Sequence, residues 1–287
     1  TCAIPIYSCV LEYDGYINVH LSADNLGTIV AQGDIGGNEL TGESKTYELN
    51  SVAVAGIEGT ATFEERMNGS TLVTLDVENT VPGMMHPAHI HHNSAAEGGD
   101  IAISLNAVNG TTGMSMTNVE MLDDETAITY EELLSFDGYI NVHLSAEDLG
   151  TIVAQGDIGS NELTGESVSY DLNSVDVPGI MGTATFEERM SGETLVTISL
   201  EGTPDGGTHP AHIHFNSAEE GGDIAISLNP VDGTTGMSMT QVMSLDGEDG
   251  DSISYEGLLE FDGYINVHLS AEQLDVIVAQ GDIGSNS

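Results

Sequence analysis

Tryptophan is absent from this 287-residue chain, and positive charge is confined to Lys45, Arg66 and Arg189. Against 47 Asp and Glu, these three cations leave a formal net charge of −44. Such a surface repels phosphate backbones and anionic lipid, which excludes nucleic acid as a partner and argues against membrane insertion. No apolar run reaches the length of a membrane-spanning helix either. Cysteine occurs only as Cys2 and Cys9. A local Cys2–Cys9 disulfide is the one thiol chemistry left to expect, and it suits an oxidising compartment. Sustained 3.6-residue periodicity is missing throughout, so no long helix is predicted. No Ser-His-Asp arrangement, phosphate loop or basic aromatic patch occurs. With 39% hydrophobic and 5% aromatic residues, the core is real but lean. Its self-repulsion calls for salt, bound cations or low pH, as in a saline, calcium-rich or acidic extracellular setting.

What the chain does have is an internal repeat. Asp14-Gly15-Tyr16-Ile17-Asn18-Val19-His20-Leu21-Ser22 recurs at Asp137–Ser145 and at Asp262–Ser270. The offset is 123 residues from His20 to His143 and from His86 to His209, and 125 from His143 to His268. The two extra residues fall in the acidic loop Leu245–Asp251. Polar connectors are expected at Asn38–Ser44 and Asn161–Ser167. Val73, Leu75 and Val77 alternate with Thr74 and Asp76, the pattern of a half-buried strand. Short alternating segments punctuated by Gly, Asn and Asp predict an all-β chain of tandem antiparallel Greek-key β-sandwich modules. Residues 46–160 and 169–287 read as complete modules. Residues 1–45 read as the closing strands of a partial one.

Seven of the ten histidines lie in two copies of one cluster: His86-Pro87-Ala88-His89-Ile90-His91, with His92 beside it, and His209-Pro210-Ala211-His212-Ile213-His214. On a strand, His89 and His91 project to one face and Ile90 to the other. The other three histidines, His20, His143 and His268, occupy the Asp-Gly-Tyr-Ile-Asn-Val-His repeats. Three or four imidazoles without a thiolate suit copper or zinc, with nickel a further possibility. The competing reading is a hydrogen-bonded corner of the sandwich without metal. Asn141 and Asn266, two residues before His143 and His268, are candidates for orienting the ligands. Carboxylates of Glu97, Asp100, Asp123, Asp124 and Glu125 offer oxygen for calcium, though a solvated acidic loop accounts for them as well. His92 is Phe215 in the second copy and reads as incidental.

The order Gly-Thr-Ala-Thr-Phe, His-Pro-Ala-His-Ile-His, Gly-Tyr-Ile-Asn-Val-His and Gln-Gly-Asp-Ile-Gly resembles the chordin-type (CHRD) domain. It is also similar to copper–zinc superoxide dismutase, with its His-x-His strand and later Val-His…Asp-Leu-Gly stretch, here Val142-His143 and Asp148-Leu149-Gly150. The resemblance implies His89, His91 and His143 as copper ligands in the first module, and His212, His214 and His268 in the second. His86, His209 and His20 are further candidates. The dismutases' zinc loop, intrasubunit disulfide and active-site arginine have no counterparts, which weakens an enzymatic expectation. His20 competes with His143 for the first cluster, as His143 does with His268 for the second, and family order favours the downstream partner.

The resulting expectation is a secreted, metal-binding structural or adhesive repeat protein. Its spare closing strands would self-associate into a head-to-tail array or filament by strand donation. The alternatives are a copper-only dismutase-like enzyme and an extracellular copper carrier or store.

Overall fold

A computed structural model of the chain describes residues 13–247 and 250–287, so the expected Cys2–Cys9 pair lies outside the described residues. Strand accounts for 62% of the chain and helix for 3%, which makes the fold all-β. The chain divides into two compact units, 1–159 and 160–287.

In the first unit, β1 (Asp14–Ser22) and β2 (Asn25–Gly36) pair only with each other, as an antiparallel hairpin. The next eight strands close into an antiparallel barrel: β3 (Leu40–Ser51), β4 (Gly59–Arg66), β5 (Thr71–Val77), β6 (Met85–His92), β7 (Ile101–Asn109), β8 (Met114–Val119), β9 (Asp137–Ser145) and β10 (Asp148–Gly159). Their order around the barrel is β10-β3-β4-β5-β8-β7-β6-β9, with β5 beside β8 and β6 beside β9 as the crossovers. One helical turn, α1 (Tyr130–Leu133), precedes β9; Thr129 and Glu132 cap it reciprocally, each accepting a backbone N–H of the other. The second unit repeats this plan. Strands β11 (Leu163–Ser174), β12 (Met181–Arg189), β13 (Thr194–Glu201), β14 (Thr208–Phe215), β15 (Ile224–Asp232), β16 (Met237–Val242), β17 (Asp262–Ser270) and β18 (Gln273–Gly284), with α2 (Tyr255–Leu259), form a second closed barrel in the same order.

Alternation builds each core. Ala61, Phe63, Val73, Leu75, Ile90, Ile140 and Val142 all point inward and are buried. Their neighbours Thr62, Thr74 and Asp76 face out, so every core strand contributes one apolar row. Two seams are thin. Only Ala154–Ser51 and Gln155–Asn50 pair β10 with β3, and only Asn109–Met114 pairs β7 with β8. At the first seam the chains run so close that a Cβ on Gly156 would stand 2.0 Å from the Glu48 carbonyl oxygen, so only glycine fits there.

The strands begin earlier than the sequence implied. β3 starts at Leu40 and β11 at Leu163, inside the expected polar connectors and ahead of 46 and 169. Residues 40–44 are solvent-exposed and lie beside a bulge between Leu40 and Ser44, so no apolar row marks them as strand.

Candidate metal centre

In the first barrel β6 lies between β7 and β9, with His89 opposite Asn141 and His91 opposite Tyr139 on β9. His143 is brought to the same place by a bulge: Val142 pairs with Ala154 and His143 with Ile152, leaving Val153 as an extra residue on β10. Bulges re-aim a side chain in this way. His89, His91 and His143 thus converge, their candidate ligand nitrogens all within 4.8 Å of one another. His212, His214 and His268 form the same cluster in the second barrel. Among the described residues these are the only such groups of three or more. The downstream repeat closes each cluster, as the family order implied.

Backbone carbonyls set the rings. His91 Nδ1 donates to Gly99 O at 2.9 Å, and His143 Nδ1 donates to Leu149 O at 2.7 Å. In that tautomer the Nε2 lone pair is free for a metal. His91 Nε2 is buried and without a hydrogen-bond partner, as is His214 Nε2. A ligand atom in waiting has this character. His89 presents Nδ1 instead, 3.2 Å from His143 Nε2. Two nitrogens bound at about 2.0 Å to one tetrahedral ion stand roughly 3.3 Å apart. The donor set and spacing fit a d-block cation.

Tyr139 stacks on His91 with centroids 4.9 Å apart, and its hydroxyl accepts the Gly99 N–H at 3.1 Å. Gly99 therefore grips both His91 and Tyr139, and a Cβ there would meet His92 O at 2.0 Å. Gly222, His214 and Tyr264 repeat the clamp. The sequence reading gave these glycines and tyrosines no part in orienting the ligands; the recurring Gly-Gly-Asp that begins seven residues after each His-x-His was the signal.

His143 is buried and His89 half-buried, so each centre opens on the His89 side. Burial holds the His89 pKa below the ordinary histidine value, assisted by His143 and His91 and opposed by the carboxylate of Asp123. Burial also lowers His143, against the Leu149 carbonyl. His212 is lowered by burial and by His268 and His214, with Asp246 opposing. Burial likewise lowers His268, and the Leu274 carbonyl opposes it. Neutral imidazoles are the metal-binding form.

The remaining candidates fall elsewhere. His86 and His209 are fully buried outside the triads, with Nδ1 at 3.2 Å from His143 O and 3.1 Å from His268 O. They tether the strand that carries the third ligand. His20 sits on the separate hairpin, in neither triad. Asn141 and Asn266 are buried beside the clusters, but each side-chain oxygen accepts from Gln155 or Gln280, at 2.8 Å in both cases. Main-chain carbonyls, not these asparagines, orient His91 and His143. The acidic residues serve the backbone: Glu97 and Asp124 close turns, accepting from Ser94 and Thr126, and Asp123 ties its loop to β7 by accepting from Ser104. His92 packs on Phe136, as Phe215 does on Phe261.

Comparison with protein-family models, with curated proteins and with solved structures returned no match.

Proposed function

We propose that each barrel is a three-histidine metal module and that the chain is a secreted structural or adhesive repeat protein of the chordin-type class. The observation that carries this is the pair of converging triads, in which His91, His143 and His214 each spend a ring N–H on a backbone carbonyl and keep Nε2 for a metal. His89, His91 and His143 would hold one ion, and His212, His214 and His268 a second. Copper is the favoured metal, because imidazole sites bind it more tightly than zinc or nickel. Bound only by the folded state, such an ion adds stability to a lean and self-repelling protein. It joins the strand of the His-x-His pair to the closing hairpin, across the seam between β6 and β9. Calcium has no comparable cluster in its favour among the described residues.

The strand order supports reading each closed sheet as a flattened Greek-key sandwich. Neighbours β9-β6-β7-β8 follow the Greek-key sequence, and thin seams divide the barrel into two halves. That order, with an open side at His89, also favours a second reading, a copper-only dismutase-like centre. Asp123 and Asp246 beside the open ligands oppose an anionic substrate.

Elemental analysis and metal titration of the intact chain provide the test. Two equivalents of copper or zinc per chain, falling to none in His89→Ala/His212→Ala, are expected. No stoichiometric uptake would end the proposal, and fast superoxide turnover lost in the same variant would replace the structural reading with the enzymatic one.

A further inference from the structure

Imidazole is uncharged in the form that binds metal, so a divalent ion in either triad keeps its full charge. No carboxylate belongs to the triads themselves. The atoms that converge within 4.8 Å are nitrogens of His89, His91 and His143, and of His212, His214 and His268. A charge held out of bulk water is costly unless an opposite charge stands near it. Each centre is open on one side only, at His89 or His212, so the neighbours of these two rings decide how that charge is met.

Across the sheet from His89 stands Ser104 on β7, and across from His212 stands Ser227 on β15. Facing residues on adjacent antiparallel strands share a face, with Cβ atoms roughly 5 Å apart. Both polar groups of each serine go to one side chain. The Asp123 carboxylate accepts the Ser104 N–H at 3.0 Å and its hydroxyl at 2.7 Å. The Asp246 carboxylate accepts the Ser227 N–H at 2.8 Å and its hydroxyl at 2.7 Å. The main chain adds a third bond: Asp123 N–H donates to Ala102 O and Asp246 N–H to Ala225 O, both at 2.8 Å. Each carboxylate is thereby fixed to the barrel wall beside the open ligand.

The loops that follow are not alike. The offset between copies is 123 residues at Asp123 and Asp246 but 125 at Ile128 and Ile253, so the insertion comes after the aspartate and leaves it in place. These two carboxylates also oppose the lowering of the His89 and His212 pKa values by burial, whereas at His143 and His268 the opposing group is a main-chain carbonyl. Anchoring a loop to Ser104 requires only an acceptor oxygen, which asparagine supplies equally well. What aspartate adds is charge.

We propose that Asp123 and Asp246 balance the charge of the two metal centres, acting as positioning residues that select a divalent ion over a monovalent one, and Cu(II) over Cu(I). The inference rests on the three-histidine reading of each centre. Attraction to a fixed charge scales with the charge of the ion, so the carboxylate stabilises a divalent ion twice as much as a monovalent one. Copper in such a centre is held in its oxidised state, which suits an ion that staples strands.

The test uses the full chain at about 0.01 M ionic strength, where exposed charges are least screened. The probes are zinc, Cu(I) under anaerobic reducing conditions, and the reduction potential of bound copper. Asp123→Asn keeps the acceptor for Ser104 and removes the charge. The zinc affinity of the first barrel should fall roughly 10-fold, as for other groups beyond the ligands. Its Cu(I) affinity should fall only about 3-fold, being governed by half the energy. The same ratio for Cu(II) over Cu(I) raises the potential by about 30 mV, at 59 mV per tenfold. The second barrel should stay unchanged as the internal reference. Asp124→Asn removes an equal charge one residue on, where the carboxylate serves Thr126, and should leave both affinities as they were. Asp246→Asn repeats the measurement in the second barrel, and a barrel that had lost its fold would take up no ion instead of holding one more weakly. Equal losses for zinc and Cu(I), or no loss for either, in a protein whose wild type binds two equivalents would overturn the charge-balancing role and leave the triads standing. No uptake by wild type would sink the triads and this inference together.

Discussion

His89 Nδ1 and His143 Nε2 stand 3.2 Å apart across 54 residues of sequence. One belongs to β6 in the middle of the barrel wall, the other to β9 in the hairpin that closes it. Every feature around this contact serves to hold it. The bulge at Val153 turns His143, the His86 ring ties down the His143 carbonyl, and Leu149 and Gly99 fix the two rings. An ion at this point therefore fastens the closing hairpin to the rest of the barrel.

Metal should stabilise both barrels. With free ion at a thousand times its Kd, the gain is about 4 kcal/mol per site. Thermal unfolding followed with and without chelator should show this gain in wild type and half of the sites silenced in His89→Ala. An unchanged melting temperature on chelation would contradict the staple.

Much of this site was legible in the sequence, and the misses have definite causes. The 123-residue repeat located the modules, and strand alternation put His89 and His91 on one face. Ile90, Ile140 and Val142 duly fill the core. His143, expected on the face away from the core and thus outside it, is nonetheless buried, because the hairpin tip folds over it. Strands β3 and β11 looked like connectors since their first residues face water on both sides. Closure of each sheet rests on two pairs and one tight glycine, which leave no pattern in the chain. His86 shares the motif, but its nitrogens lie outside the group in which His89, His91 and His143 converge, and proximity in sequence does not show that difference.

Tyr139→Phe keeps the stack on His91 but removes the acceptor for the Gly99 N–H. The fold should lose ~1 kcal/mol. Metal affinity of the first barrel should drop roughly 10-fold, as for other groups that orient a ligand. Isothermal titration of the variant should resolve one weakened and one normal site. Two equal sites would show that the clamp does not govern the ligand.

Acid should weaken the metal-free protein in a defined window. His89, His143, His212 and His268 all have pKa values lowered by burial, so below the ordinary value of about 6.5 the unfolded chain binds protons that the barrels refuse. Unfolding free energy should therefore be fully present above about pH 7.5 and fall as pH drops through 6.5 toward the folded pKa values. Denaturant titrations in molar salt, which mutes carboxylate repulsion, should show this slope, and His89→Gln/His212→Gln should flatten it. Stability that rises on acidification from neutral pH would contradict the assignment.

Salt should act on the whole surface, and calcium should add nothing special. A net charge of −44 with three cations gives self-repulsion that reaches about 30 Å at 0.01 M ionic strength and about 3 Å at 1 M. Raising sodium chloride over that range should raise the melting temperature by roughly 5–10 °C, the equivalent of ~1–2 kcal/mol per barrel. Arg66, one of the three cations, is committed to Asp34, and the carboxylates of Glu97, Asp123 and Asp124 are already bonded to the N–H groups of Ser94, Ser104 and Thr126. A calcium ion would have to share those carboxylates with the N–H groups they already accept. Calcium chloride at matched ionic strength should consequently stabilise no more than sodium chloride does. A calcium-specific shift at low millimolar concentration would place a dedicated oxygen site on the surface and reopen the role of the acidic loops.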